Sequence, residues 1–167
     1  MKHISSALLL LLMVLTAGCE KDINTEDDKD DGKGNDTTPA IVVGTEDDAP
    51  ENYSTVAEAI EAEVGSYLCV KGYIVASTQR SMGNACFKAP FSGSSAIVLA
   101  DEPVSDTTFP EDLLPVCLTD CQKGIRSSLN LVDNPDNWNH IVYITGWKDR
   151  YLSVPGLKMV QQYVLIE

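Results

Sequence analysis

Five cysteines, four aromatic residues and a few acidic pairs are the side chains of this 167-residue chain that can do chemistry. Cys19 follows Thr16-Ala17-Gly18, a short basic start and an apolar run from Ala7 to Leu15. The run is too short to span a bilayer, and small residues before a cysteine suit cleavage that leaves the cysteine as an acylated first residue. Residues 1–18 therefore read as a lipoprotein signal peptide, and Cys19 as the site of lipidation. Thr16 stands where such signals usually carry Leu, with Leu15 one place earlier. The other reading is an ordinary signal peptide cut after Ala17 or Gly18.

Four thiols remain in the body of the chain: Cys69, Cys86, Cys117 and Cys121. In an exported protein an even number favours disulfides. Cys117 and Cys121 are close in sequence at a strand end, which leaves Cys69 with Cys86 by subtraction. The other reading is buried free thiols, since a small apolar side chain packs well inside a strand. Zinc normally takes C-x-x-C pairs or several histidines, and His140 is the one histidine beyond the signal segment, so no metal is expected.

Catalytic constellations are thin. His140 follows Asn139 with no Gly-x-Ser-x-Gly turn for a nucleophile. Asp101-Glu102, Glu111-Asp112 and Asp133 with Asp136 could form acid/base pairs, but all fall in loop-like segments where such residues usually cap or face solvent. Residues 133–137, DNPDN, lack the alternating ligands and glycine of an EF-hand loop and read as a capped turn. Neither a catalytic centre nor a cofactor is expected. Asp36-Thr37-Thr38 and Asp106-Thr107-Thr108 are similar to short O-glycosylation acceptor patterns of Bacteroidota, and read equally well as plain solvated loops.

The elements that must position these groups begin at residue 40. Residues 20–39 hold eight acidic residues and three lysines and almost nothing that can be buried, so residues 19–39 read as a disordered tether reaching about 25 Å from a membrane. An acidic stretch after a lipidated cysteine also resembles the surface-export signals of Bacteroidota lipoproteins. The expected location is the outer membrane, on the cell surface or on the periplasmic face. Residues 40–167 suit one domain. It carries 17 acidic and 8 basic side chains, net −9, without a basic stripe, which counts against nucleic acid.

A helix is predicted over 55–64, with Thr55 and Glu58 as a capping box and Val56, Ile60 and Val64 along one face. Alternation with period two then predicts strands at Tyr67 to Ala76, with Leu68, Val70, Gly72, Ile74 and Ala76 on one face, at Ser95 to Ala100 and at Pro115 to Thr119. A short helix follows over Gly124 to Val132, then strands at His140 to Trp147, Arg150 to Val154 and Leu157 to Ile166. Short strands, no crossover helices and a helix between strands three and four predict a mainly β chain: a five-stranded Greek-key barrel of the OB type with an N-terminal helix. Gly72 and Gly146 sit inside strands in echoing segments, Val-Lys-Gly-Tyr and Ile-Thr-Gly-Trp, and read as bend points or as room for a packed neighbour.

The residues that carry a family resemblance run from 55 to 166: Val56-Ala57-Glu58-Ala59-Ile60, Val70-Lys71-Gly72-Tyr73, Ile97-Val98-Leu99-Ala100-Asp101, Pro115-Val116-Cys117-Leu118, Ile125-Arg126, Asn134-Pro135, Thr145-Gly146 and Val154-Pro155-Gly156-Leu157. In these the chain resembles OB-fold-like domains of unknown function found in Bacteroidota lipoproteins and, as accessory domains, in some secreted Gram-positive nucleases. The resemblance implies the fold and an extracytoplasmic setting. It supplies no catalytic residues, and the four body cysteines depart from it.

Tyr73, Trp138, Trp147 and Tyr151 lie at or near strand ends, where an OB-type barrel meets oligosaccharides or oligonucleotides. Rings stack on both, but bases also need a positive groove, so the acidic surface favours sugars. The expected function is a lipid-anchored, non-catalytic binding module with a glycan ligand. The alternatives are a protein-interaction or structural subunit of an outer-membrane assembly, and an accessory nucleic-acid-binding domain.

Overall fold

The computed structural model describes residues 41–103 and 110–166. The signal peptide, Cys19, the tether and both Asp-Thr-Thr tripeptides lie outside the described residues.

Among the described residues seven strands and two α-helices follow in the order β1 (Ile41–Gly44), α1 (Val56–Glu61), β2 (Tyr67–Gln79), β3 (Ser81–Cys86), β4 (Ala96–Ala100), β5 (Leu114–Cys117), α2 (Lys123–Leu129), β6 (Ile141–Tyr151) and β7 (Val154–Ile166). Five strands close a ring. β2 pairs antiparallel with β4, β4 with β5, β5 in parallel with β7, β7 antiparallel with β6, and β6 with β2. This is the predicted Greek-key barrel, with α2 between its third and fourth strands. Closure leaves the ring without open edges.

β1 and β3 were not foreseen. β1 extends the sheet in parallel with the end of β7, and β3 forms a hairpin with β2. The predicted strand at Arg150 to Val154 is a correction. Leu152 and Ser153, with φ of 53° and 71°, form a two-residue turn that divides the segment between β6 and β7. Two consecutive positive φ values make this the hairpin turn that suits the strands' twist, a position usually given to Asn-Gly. Without those residues the sequence carried no turn signal.

The barrel core holds Val70, Ile74, Ile97, Leu99, Val116, Ile144 and Leu157, joined by Val56 and Ala59 from α1 and by Ile125 and Leu129 from α2. A second cluster of Val75, Ala76, Val98, Ala100 and Leu113 packs with Met82, Ala85 and Phe87 from β3 and the residue after it. Every residue of β4 and β5 is consequently buried. β3 thus accounts for an outer face that sequence alternation leaves open.

α1 has only six residues, too few to persist alone. Its capping box forms as expected: Glu58 N–H donates to Thr55 Oγ1 at 3.1 Å, and Thr55 N–H to Glu58 Oε2 at 2.8 Å. Asp101, at the end of β4, takes the remaining amides, accepting from Val56 N–H at 2.6 Å and Ala57 N–H at 2.9 Å. At the other end the buried Lys148 ammonium donates to the carbonyls of Ala59 and Ile60. An anion at the amino end and a cation at the carboxyl end both complement the helix dipole.

The two strand glycines serve different ends. Gly146 sits at the register shift between Thr145 and Trp147 in the β6–β7 pairing, so it marks a bend. Gly72 stays in regular register with Val142, and a methyl there would lie 2.9 Å from Val56 Cγ2 and 3.1 Å from Leu99 Cβ. It makes room for α1, and its reading as a bend point is corrected.

Candidate ligand-binding face

Inward alternation in β2 puts Tyr67, Cys69, Lys71 and Tyr73 on the outside of the barrel, and register sets them beside Trp147, Thr145, Tyr143 and Ile141 of β6. Four cross-strand pairs therefore form a stripe about 20 Å long. At one end the Tyr67 and Trp147 rings lie 5.0 Å apart at 52°, with Tyr67 51% and Trp147 39% exposed. Exposed rings of this size present apolar area that the barrel itself does not bury.

In the middle, Cys69 stands beside Thr145, and burial pushes its thiol pKa up against the opposing hydrogen bond from Thr145. Next comes Tyr53, which the chain brings over the sheet just before α1. Ser54 N–H donates to Cys69 O at 2.8 Å, and Lys71 N–H to Ser54 O at 2.9 Å, which fixes this segment along β2. The Tyr53 ring meets Tyr143 edge-on at 5.3 Å, and the Lys71 ammonium lies 5.4 Å from the first ring's centroid and 5.9 Å from the second's. Beside them a pocket of about 330 Å³ is lined by Tyr53, Thr55, Lys71, Gly72, Tyr73, Asp101 and Glu102. The capping of α1 by Asp101 thus also shapes one wall of this pocket.

The four aromatic candidates divide. Tyr73 and Trp147 lie on the stripe. Trp138 packs against the core and Phe91, with its indole N–H donating to Val75 O at 3.0 Å. Tyr151 donates its hydroxyl to Ser95 O at 3.3 Å, and burial with the neighbouring Cys117 pushes its pKa up to about 12. Both serve as supports for the connections around β4 and β5.

The other candidates are absorbed by the fold. Asp101 spends both oxygens on α1. Asp133 accepts from Asn130 Nδ2 at 3.0 Å, while Asn134 and Asn137 donate to Ser127 O and Ser128 O, which makes residues 133–137 a capped turn. Glu111 and Asp112 are exposed. His140 Nδ1 is buried without a hydrogen-bond partner among the described residues. No group of three metal-ligating side chains occurs among them.

Cys69, Cys86, Cys117 and Cys121 are all free thiols. Cys86 faces Ser77 and Cys69 faces Thr145, so about 26 Å of β2 separates the two positions, against roughly 4–7 Å between the Cα atoms of a disulfide. The pairing of Cys69 with Cys86 therefore does not stand. Cys121 donates to Leu118 O at 3.2 Å, and burial, Asp120 and Cys117 push its pKa up to about 11.

A family described as a domain of unknown function, DUF6359, matches residues 54–166. The chain belongs to the DUF6359 family. No curated protein matches it. The solved structure of the hypothetical protein ygiW from E. coli is similar at 12% identity and a TM-score of 0.40, over 69% of this chain and 90% of that one. In this DUF6359 domain the stripe residues that sequence reading passed over are Tyr53, Tyr67, Lys71 and Tyr143. Tyr67 and Lys71 were legible, being the positions between the inward residues of β2. Tyr53 was not, because only its folding back across β2 puts it there.

Proposed function

We propose that the domain is a non-catalytic binding module, held to the outer membrane through a lipidated Cys19, and that it takes a glycan on the outward stripe of β2 and β6. The observation that carries this reading is the exposed Tyr67–Trp147 pair, a ring surface of the kind that stacks on the apolar face of a sugar. Thr145 and the pocket hydroxyls of Tyr53, Thr55 and Tyr73 supply hydrogen-bond partners nearby. The net charge of −13 supports sugar over nucleic acid. The resemblance to domains of Bacteroidota lipoproteins and of secreted nucleases supports the extracytoplasmic setting.

The test is a titration of the chain with a panel of polysaccharides, followed by tryptophan fluorescence, with single-stranded oligonucleotides as controls. A saturable change with one glycan class is expected. Trp147→Ala should weaken that binding at least tenfold by calorimetry, while the melting temperature falls by only several degrees, because the ring is 39% exposed and its buried part rests on Tyr67. No response to any glycan would remove this reading in favour of a protein partner, and a response to oligonucleotides alone would favour the nucleic-acid alternative.

A further inference from the structure

Lys71 is the one charged side chain on the stripe, and stacking of a neutral sugar gives it no task. Its ammonium rests over two tyrosine rings, and among the described residues it forms no ion pair. This occurs in a chain with 25 acidic and 12 basic side chains. The nearest acidic groups in its pocket are otherwise placed. Asp101 accepts from two amides of α1 and Glu102 is exposed, and among the described residues neither forms an ion pair with Lys71. Ring faces compensate an ammonium only weakly. A charge-assisted hydrogen bond to an anion is stronger than a ring contact, so the position gains from a negatively charged ligand group.

We infer that the stripe takes an acidic glycan, with one sugar ring on the Tyr67–Trp147 pair and a carboxylate or sulfate of another sugar unit on the Lys71 ammonium. This deepens the binding-module reading and rests on it. The two contacts are four residues apart along β2, about 13 Å, so they belong to different units of one chain. The pocket of about 330 Å³ beside Lys71 lies at the small end of ligand sites and suits one unit. Thr55, Tyr53 and Tyr73 offer hydroxyls there, and the Glu102 carboxylate can accept from a sugar hydroxyl. The acidic surface repels such a polymer at long range, but charges separated by more than about 8 Å are largely screened at physiological salt, which leaves the local balance of Lys71 against Asp101 and Glu102 of the same pocket to decide.

The experiment is calorimetry of the full-length chain in detergent with galacturonate oligomers, their methyl esters, chondroitin sulfate, hyaluronan, neutral xylan and mannan, and polyglutamate. At least one acidic glycan is expected to bind ten or more times tighter than the neutral chains, and the galacturonate to methyl ester comparison separates charge from ring shape. Lys71→Met, which keeps the packing on the tyrosines, should abolish that preference, and Lys71→Arg should restore it. Hyaluronan, which carries carboxylates alone, compared with chondroitin sulfate, which adds sulfate esters to its uronate carboxylates, tells whether sulfate strengthens the contact. Equal binding of acidic and neutral glycans, or an unchanged preference in Lys71→Met, overturns the inference while leaving the glycan module intact. Polyglutamate binding as tightly as any glycan overturns it in favour of an acidic peptide. Silence towards every glycan removes both readings together.

Discussion

Asp101 illustrates how little a residue's type says about its task. In sequence it stands next to Glu102 as a carboxylate pair of the kind acid/base catalysis uses. In the fold both oxygens receive amides of α1, forty-odd residues away in the chain. The capping box of this six-residue helix satisfies the amides of Thr55 and Glu58, and the carboxylate at the end of β4 takes those of Val56 and Ala57 that it leaves. Asp101→Ala is expected to destabilise the domain by about 1–2 kcal/mol, because two helix donors lose their acceptor. Asp101→Asn, which keeps one acceptor oxygen, should lose roughly half of that. Thermal denaturation of the two variants checks the order, and equal melting temperatures for Asp101→Ala and the parent chain would show that the contact contributes nothing.

At the scale of elements, β2 and β6 show that alternation sets both faces of a strand at once. Naming Leu68, Val70, Gly72 and Ile74 as inward names Tyr67, Lys71 and Tyr73 as outward, and pairing with β6 adds Tyr143 and Trp147. The β6–β7 hairpin shows the opposite case. Leu152 and Ser153 occupy a turn whose backbone favours Asn and Gly, so local sequence works against the conformation the barrel imposes. Replacing the pair by Leu152→Asn with Ser153→Gly should stabilise the domain by about 1 kcal/mol and raise its melting temperature by several degrees. A fall in melting temperature would mean that Leu152 contributes packing beyond the turn, or that Arg150, which donates to Ser153 O at 3.1 Å, needs the present backbone.

Across the whole molecule, ring closure and the β3 hairpin decide which surface is free. OB-type barrels commonly bind along their second and third strands, here β4 and β5. In this domain both strands are buried, with Met82, Ala85 and Phe87 over the outer cluster. On β2 and β6 the Tyr67–Trp147 end of the stripe stays exposed, while Tyr53 covers Tyr143 in its middle. Charge acts at the same scale: residues 40–167 carry net −9, and the compact state concentrates that repulsion. Raising ionic strength from about 0.01 to 0.15 M shortens the screening length from roughly 30 to 8 Å and should raise the melting temperature. A lower melting temperature at higher salt would show that attractive pairs such as Lys158 with Asp149, 3.1 Å apart, outweigh the repulsion.

The sequence by itself determined the strands with clean alternation, the capping box at Thr55 and Glu58, the helix between the third and fourth barrel strands, and hence the barrel. These follow from neighbours within a few residues, where periodicity and capping act. Only the tertiary structure decided that Gly72 makes room for α1, that Asp101 and Lys148 hold that helix at both ends, and that Cys69 and Cys86 lie far apart. It also decided that Trp138 and Tyr151 are supports while Tyr53 joins Lys71 on the outer face. Each of these depends on contacts between segments distant in the chain, which no local pattern encodes. They became definite only when closure of the ring and the folding of β3 over β4 fixed which side of each strand met protein and which met water.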